Sequence, residues 1–314
     1  MIITRRSFLA GVAAATATRA FPAAKPAVDP DLVVLLSDVH VNGVPGRDAF
    51  QRDKFARVVA DVLRMDPLPA NAVFFGDLAW LHGRELDYRA SLGGIRLLED
   101  AGVKVTLGMG NHDRRSAFLK VHPSYARTTM IPGRIVSVCS VGRADFIMLD
   151  GLMGKDDRGP SDSGPGGCEL DKAQQDWLLD VLPKWRRPVF VCSHWPIGGV
   201  VAGGRGIADL IFRSPAVAGY IHGHDHRWYK TLVRKNWKES PQIRTLCLPS
   251  TGHWGDIGYV TMRLSADRAV ASLRQYEYFF PRPKPDDPKY VEIWRDITEE
   301  NQNQSCTFRL PSIA

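Results

Sequence analysis

The chain has 314 residues, 44% of them hydrophobic and 24% charged, with a formal net charge of +7. It is long enough for one large α/β domain or two small ones, and its composition excludes an intrinsically disordered chain. The positive charges are spread along the sequence, which favours anionic ligands in general but excludes the clustered basic stripe of a nucleic-acid binder.

At the N-terminus, Thr4-Arg5-Arg6-Ser7-Phe8-Leu9 precedes a short run rich in Ala and Gly that ends near Ala17. This resembles the twin-arginine export signal of bacteria. Ala10 departs from the basic residue often found there. The apolar run is too short to cross a hydrocarbon core of roughly 30 Å as a helix, and Ala15-Thr16-Ala17 is a candidate cleavage site. Residues 1–27 are therefore expected to be a signal and linker. The resemblance implies passage of the folded chain through the twin-arginine translocase to the periplasm or beyond. No stable membrane or nucleic-acid partner is expected.

Leu32 to Leu36 is a continuous apolar run, the pattern of a strand buried on both faces, and it ends in Ser37-Asp38-Val39-His40. Asp48 to Met65 has helical spacing at Phe55, Val58, Val59, Val62 and Leu63, stopped by Pro67 and Pro69. Asn71 to Phe75 is a second buried strand ending in Gly76-Asp77. Glu85 to Ala101 reads as a helix with a Gly93-Gly94 pair in its middle and Gly102 as its C-cap. Val103 to Leu107 is a third strand and runs into Gly108-Met109-Gly110-Asn111-His112-Asp113. Three β-α units in series imply parallel strands, whose carboxyl ends are where open α/β sheets bind ligands.

Ala144 to Leu149 is a strand, and Gly151 to Gly167 is a Gly/Pro/Asp/Ser loop long enough to serve as a partial lid. Asp171 caps a helix to Leu182 that turns Trp177, Leu178 and Val181 inward. Pro188 to Cys192 leads to Ser193-His194-Trp195-Pro196. A short helix over Gly206 to Arg213 precedes the buried run Val217 to Ile221, which ends in Gly223-His224-Asp225-His226. Strands follow near Trp228–Arg234, Ile243–Leu248, Tyr259–Leu264 and Val270–Tyr276. The functional domain is expected over 28–280, with 281–314 a Pro-rich arm packing on it. Five scattered cysteines form no CxxC pair, and an odd count cannot all pair within one chain. Cys192 and Cys247 read as buried strand residues, and neither spacing nor context marks any cysteine as a nucleophile or ligand.

The strand ends together offer two carboxylates (Asp38, Asp77), one amide oxygen (Asn111) and four imidazoles (His40, His194, His224, His226). Mixed oxygen and nitrogen ligands suit Fe, Mn or Zn rather than calcium. Seven ligands exceed one tetrahedral site and fit two metals sharing a carboxylate.

This order and spacing resemble the calcineurin-like metallophosphoesterases, from about Leu32 to about Leu264. The resemblance implies a four-layer αββα sandwich of two mixed sheets flanked by helices, and two divalent or trivalent ions of Mn, Fe or Zn. Asp38, His40, Asp77 and His226 would hold the first ion. Asp77, Asn111, His194 and His224 would hold the second, with Asp77 bridging. His112 would protonate the leaving oxygen or steady the charged transition state, and Asp113 would orient His112. The reaction implied is hydrolysis of small phosphomono- or phosphodiesters, cyclic nucleotides among them, by direct attack of a metal-bridging hydroxide. The alternative is a catalytically silent protein that binds metal or phosphate on the same fold. His222-x-His224-Asp225-His226 loosely resembles the HxHxDH motif of metallo-β-lactamase hydrolases, but the spacing fails.

Further residues are candidates for the cleft. His82 and His253 lie in loops near it, and of Arg114 and Arg115, which follow the Asn-His-Asp turn, one could grip a phosphate oxygen, the bland alternative being a solvated charge at a helix start. His222, two residues before His224, is expected to face the same side. Trp195, Trp228 and Trp254 are candidates to stack on a base or aryl group, with core packing the default expectation for a tryptophan.

Overall fold

In the computed structural model the described residues are 26–45, 49–153, 168–202, 205–234, 242–280, 293–296 and 304–313. The export signal and most of the Gly151–Gly167 loop lie outside them. Strand β1 (Val28–Leu36) leads through helix α1 (Ala49–Leu63) to β2 (Leu68–Phe74), and α2 (Glu85–Asp100) leads to β3 (Lys104–Leu107). Two short helices, α3 (Arg115–Val121) and α4 (Tyr125–Thr128), connect to β4 (Ser137–Val141) and β5 (Ala144–Met148). Then come α5 (Lys172–Val181), β6 (Val189–Cys192), a ribbon of β7 (Val201–Ala202) and β8 (Arg205–Gly206), α6 (Ile207–Ile211) and β9 (Val217–His222). The chain ends in β10 (Tyr229–Arg234), β11 (Gln242–Cys247), β12 (Gly255–Leu264), β13 (Arg268–Phe280), β14 (Ile293–Asp296) and β15 (Ser305–Arg309).

These strands form two mixed sheets. The first runs β14-β13-β12-β1-β2-β3, with β15 also on β13. The second runs β10-β11-β9-β6-β5-β4. Strands β1, β2 and β3 are parallel, as are β5, β6, β9 and β11. The alternation of side chains explains the unbroken apolar runs. Val33 and Leu35 of β1 enter a core shared with Phe146, Phe190 and Ile221 of the second sheet. Val34 and Leu36, on the other face, meet Phe55, Val58 and Val62 of α1. A strand with an apolar layer on each side has no polar face to show. The order helix–sheet–sheet–helix is the αββα sandwich expected.

The Gly93-Gly94 pair does not break α2. A Cβ on Gly94 would lie 2.6 Å from Cε1 of Phe55, so its absence lets α2 press against α1. Gly93 meets nothing within 4 Å. Gly94→Ala is therefore expected to destabilise the fold by about 1–3 kcal/mol through overpacking. Gly93→Ala is expected to stabilise it by up to about 1 kcal/mol through helix propensity. Urea unfolding of both variants checks the opposite signs; equal shifts would refute the packing argument.

Asp171 caps α5 as expected, its side chain accepting from the Gln174 amide. The inward residues of α5 are Gln174 and Leu178, whereas Trp177 and Val181 are only half-buried. The C-terminal stretch contributes sheet edge as well as cover. Strands β14 and β15 both pair antiparallel with β13, and Phe308 of β15 is buried in the inter-sheet core. Among the described residues no helix is long and apolar enough to cross a membrane.

Candidate metal centre

Five strand ends deliver the donor residues to one edge of the sandwich. Asp38 and His40 follow β1, Asp77 follows β2, Asn111 and His112 follow β3, His194 follows β6, and His224 and His226 follow β9. The chain must turn sharply there. Asp38, His40, Asp77, His224 and His226 have φ of 53°, 48°, 51°, 72° and 55°, and among the described residues no other non-glycine residue has positive φ. Left-handed backbone at a non-glycine residue costs on the order of 1–3 kcal/mol and gathers at functional sites. Gly110 and Gly223 permit the close approach. A Cβ on Gly110 would lie 2.2 Å from Asp77 Oδ1, and one on Gly223 1.8 Å from Ser37 Oγ.

Backbone carbonyls set which nitrogen each histidine turns inward. A carbonyl only accepts, so the ring nitrogen beside it carries the proton. His40 Nδ1 donates to Trp80 O (2.9 Å), His194 Nδ1 to Phe75 O (2.8 Å) and His226 Nδ1 to Trp254 O (2.9 Å). Their Nε2 atoms face the carboxylates. His226 Nε2 lies 3.1 Å from Asp38 Oδ1, and His40 Nε2 and His194 Nε2 lie 3.5 Å and 3.2 Å from Asp77 Oδ2. Asn111 Oδ1 is 2.9 Å from His194 Nε2 and 2.9 Å from His224 Nδ1.

This cage fits cations. With Nδ1 protonated, Nε2 of His226 and Oδ1 of Asp38 oppose lone pair to lone pair, a contact that needs a proton or a metal between them. Asp38 Oδ1 and His40 Nε2 are buried with no hydrogen-bond partner. Three groups of ligand atoms lie within 4.8 Å of one another: Asp38, His40 and His226; His40, Asp77 and His112; and Asp38, Asp77 and His194. The protonation tendencies agree. Burial alone would raise Asp38, but the nearby His226 and His194 hold it well below the usual carboxylate range. Burial would lower His194, yet Asp77 and Asp38 push it up to about 9. Asp77 is likewise held low against burial by His194 and His112. The two carboxylates thus recruit positive charge to a dry site, the demand that metal ions meet.

His112 does not join its ring to this cage through Asp113. Its Nδ1 lies 3.1 Å from the Leu81 carbonyl and its backbone N–H donates to Asp77 Oδ1 at 2.8 Å. The expectation that Asp113 orients His112 is corrected. The Asp113 carboxylate is spent on the turn, accepting from Gly110 N (2.9 Å), Ala79 N (3.1 Å) and Tyr88 Oη (3.1 Å). Burial first, then Asp77, raises it to about 6, against those amide hydrogen bonds.

A cleft of about 660 Å³ opens over the cage, and its wall includes His112, His253, Trp254, Arg227, Tyr229 and Leu81. His253 is where the sequence suggests, its ring 4.7 Å from that of His40. His82 lines a separate 140 Å³ cavity with Trp80 and Arg84, and Arg114 packs behind Gly83, so neither lines the cleft. Arg115 is also withdrawn: it is buried and binds Asp150 through Nε (2.6 Å) and Nη2 (2.7 Å). Trp254 leaves the expected core role and stacks on His226 at 4.6 Å. Arg227 and Tyr229 carry no motif; their one sequence signal is that they lie one and three residues after His226.

A family model described as calcineurin-like phosphoesterase matches residues 32–228. Among solved structures, a dimetal phosphatase from Danio rerio superposes with a TM-score of 0.58 at 17% identity, covering 79% of this chain and 97% of that one. Vps29 from Chaetomium thermophilum gives a TM-score of 0.39 at 12% identity, covering 89% of this chain and 99% of that one. The first likeness is one of fold. No curated protein matches the sequence.

Proposed function

The chain belongs to the calcineurin-like phosphoesterase family, and from that membership and the donor cage we propose that it is a dinuclear-metal phosphoesterase acting on small phosphomono- or phosphodiesters. The observation that carries the reading is the buried opposition of Asp38 Oδ1 and His226 Nε2 at 3.1 Å, repeated between Asp77 and His194 at 3.2 Å. Asp38, His40, Asp77 and His226 would hold one ion, and Asp77, Asn111, His194 and His224 the other. Such ions, when bound, polarise phosphoryl oxygens and lower the pKa of water.

The chain's own residues supply the rest. The Leu81 carbonyl holds one His112 proton at Nδ1, so a proton for the leaving oxygen would come from Nε2 of the doubly protonated imidazolium, at the wall of the cleft. Asp77 Oδ1 fixes the backbone beneath that ring. Trp254 and Tyr229 offer flat walls for the ester group, and Arg227 offers a positive charge at the rim. No Ser or Cys nucleophile is required. The test is release of p-nitrophenol from bis-p-nitrophenyl phosphate after reconstitution with Mn, Fe or Zn. Turnover that depends on added metal is expected, and none with any of the three metals would defeat the reading.

We also propose export through the twin-arginine route to the periplasm or beyond, supported by Thr4-Arg5-Arg6-Ser7-Phe8-Leu9 and the Ala-rich run after it. Replacing Arg5 and Arg6 together by Lys is expected to retain the protein in the cytoplasmic fraction. Unchanged fractionation would argue against this route.

A further inference from the structure

A second set of donors lies on the other face of β9. Cys247 of β11 is in register with His222 of β9, and Tyr229 of β10 is in register with Cys247. Residues in register share a face. Here it is the face turned away from the inter-sheet core, into which the neighbouring Ile221 and Leu246 point. His222 therefore does not share the cage with His224. The loop after β9 brings Asp225 over this row, where its carboxylate accepts a hydrogen bond from the Tyr229 hydroxyl. One ligand atom each of His222, Asp225 and Cys247 lies within 4.8 Å of the others. His222 and Cys247 are buried, and Asp225 reaches the cleft wall.

We propose that His222, Asp225 and Cys247 bind a third metal ion, a borderline-soft divalent cation of the zinc class, apart from the dinuclear centre. The donors match that class: one imidazole, one thiolate and one carboxylate. His222 Nδ1 donates to the Gly223 carbonyl at 2.9 Å, which leaves the lone pair on Nε2. Zinc bonds of about 2.0–2.3 Å set tetrahedral donors about 3.3–3.8 Å apart. The three donors already lie within 4.8 Å of one another, and Asp225 is the one half-exposed member.

Charge balance favours the ion. A thiolate and a carboxylate neutralise a dication, so the occupied site carries no net charge. Coordination replaces the weak contact of the Cys247 thiol with the Gly223 carbonyl (3.4 Å) and releases the thiol proton to solvent. The ion would tie the loop bearing His224 and His226 to β11 from behind, holding the left-handed residues of that loop in place.

The test uses the full chain, stripped of metal and titrated with Co(II), with bound cobalt counted by elemental analysis. The dinuclear cage has only nitrogen and oxygen donors, so a near-ultraviolet thiolate-to-cobalt charge-transfer band reports this site alone. Three equivalents and that band are expected. Cys247→Ala is expected to hold two equivalents and lose the band, and Asp225→Asn to weaken the band-forming step by roughly tenfold or more. Saturation of the unaltered chain at two equivalents without a band overturns the proposal, with no variant needed. A third equivalent without a band, or a band that survives in Cys247→Ala, also overturns it. None of these readouts depends on phosphoesterase activity, so this proposal and the proposed function fail separately.

Discussion

Asp77→Asn is expected to cost the chain at least one of the ions it would otherwise hold in the dinuclear cage and to lower phosphodiester turnover by about 10³-fold or more. Asparagine keeps the size of the side chain and tolerates the left-handed backbone that residue 77 adopts, at φ 51°. The substitution therefore isolates the charge. Asp77 Oδ2 lies 3.5 Å from His40 Nε2 on one side and 3.2 Å from His194 Nε2 on the other. No other carboxylate in the cage is that close to both rings: Asp38 Oδ1 stands 3.8 Å and 3.9 Å from them. Losing the charge that both ions would share removes several kcal/mol of transition-state stabilisation, and about 4 kcal/mol is a factor of 10³. His224→Gln is the contrast, since it touches one ion's shell and should leave the other ion in place. Elemental analysis and bis-p-nitrophenyl phosphate turnover read both effects. If Asp77→Asn lost no bound ion relative to the parent and kept turnover within tenfold of it, Asp77 would not be the bridge.

The parallel half of each sheet was legible in sequence because strands such as β1 and β2 are apolar on both faces, and each ends at a Gly or an Asp that punctuates the run. The stretch from 115 to 141 was not legible. Helix α3 has seven residues, too few for a helical period to show, and β4 is an edge strand with an irregular burial pattern. The end of the chain was read as an arm, since what makes β15 a strand is pairing with β13, whose partner Ser272 lies 33 positions before Ser305. Local pattern carries no trace of such a pairing.

The same division runs through the site. Donor residue types at strand ends were visible; the groups that aim them were not, because they are backbone atoms. The carbonyls of Phe75, Trp80, Leu81 and Trp254 fix four histidine rings and have no residue signature. Arg115 follows a motif and looks like a phosphate grip, yet Asp150, 35 positions away, holds it inside the protein. Cys247 reads as a buried strand cysteine from its own segment, and only the register of β9, β11 and β10 sets it beside His222 and Tyr229.

His112→Ala is expected to lower kcat by about 10²–10⁴-fold while leaving metal content unchanged, the range typical of a lost general acid or base. Its ring is half-buried and edge-on to His40, with centroids 5.1 Å apart, and lines the cleft. Its Nδ1 is engaged by the Leu81 carbonyl, so Nε2 is the atom able to serve a leaving oxygen. The backbone N–H of residue 112 that binds Asp77 survives the substitution, so the cage keeps its second anchor. The size of the loss should depend on the ester. An alkyl alcohol needs a proton as it departs, whereas p-nitrophenolate leaves as a stabilised anion. An imidazolium that carries its second proton on Nε2 therefore predicts a larger defect on alkyl esters than on p-nitrophenyl esters. Equal defects on both would assign His112 to charge stabilisation instead, and unchanged turnover on both would remove it from the reaction.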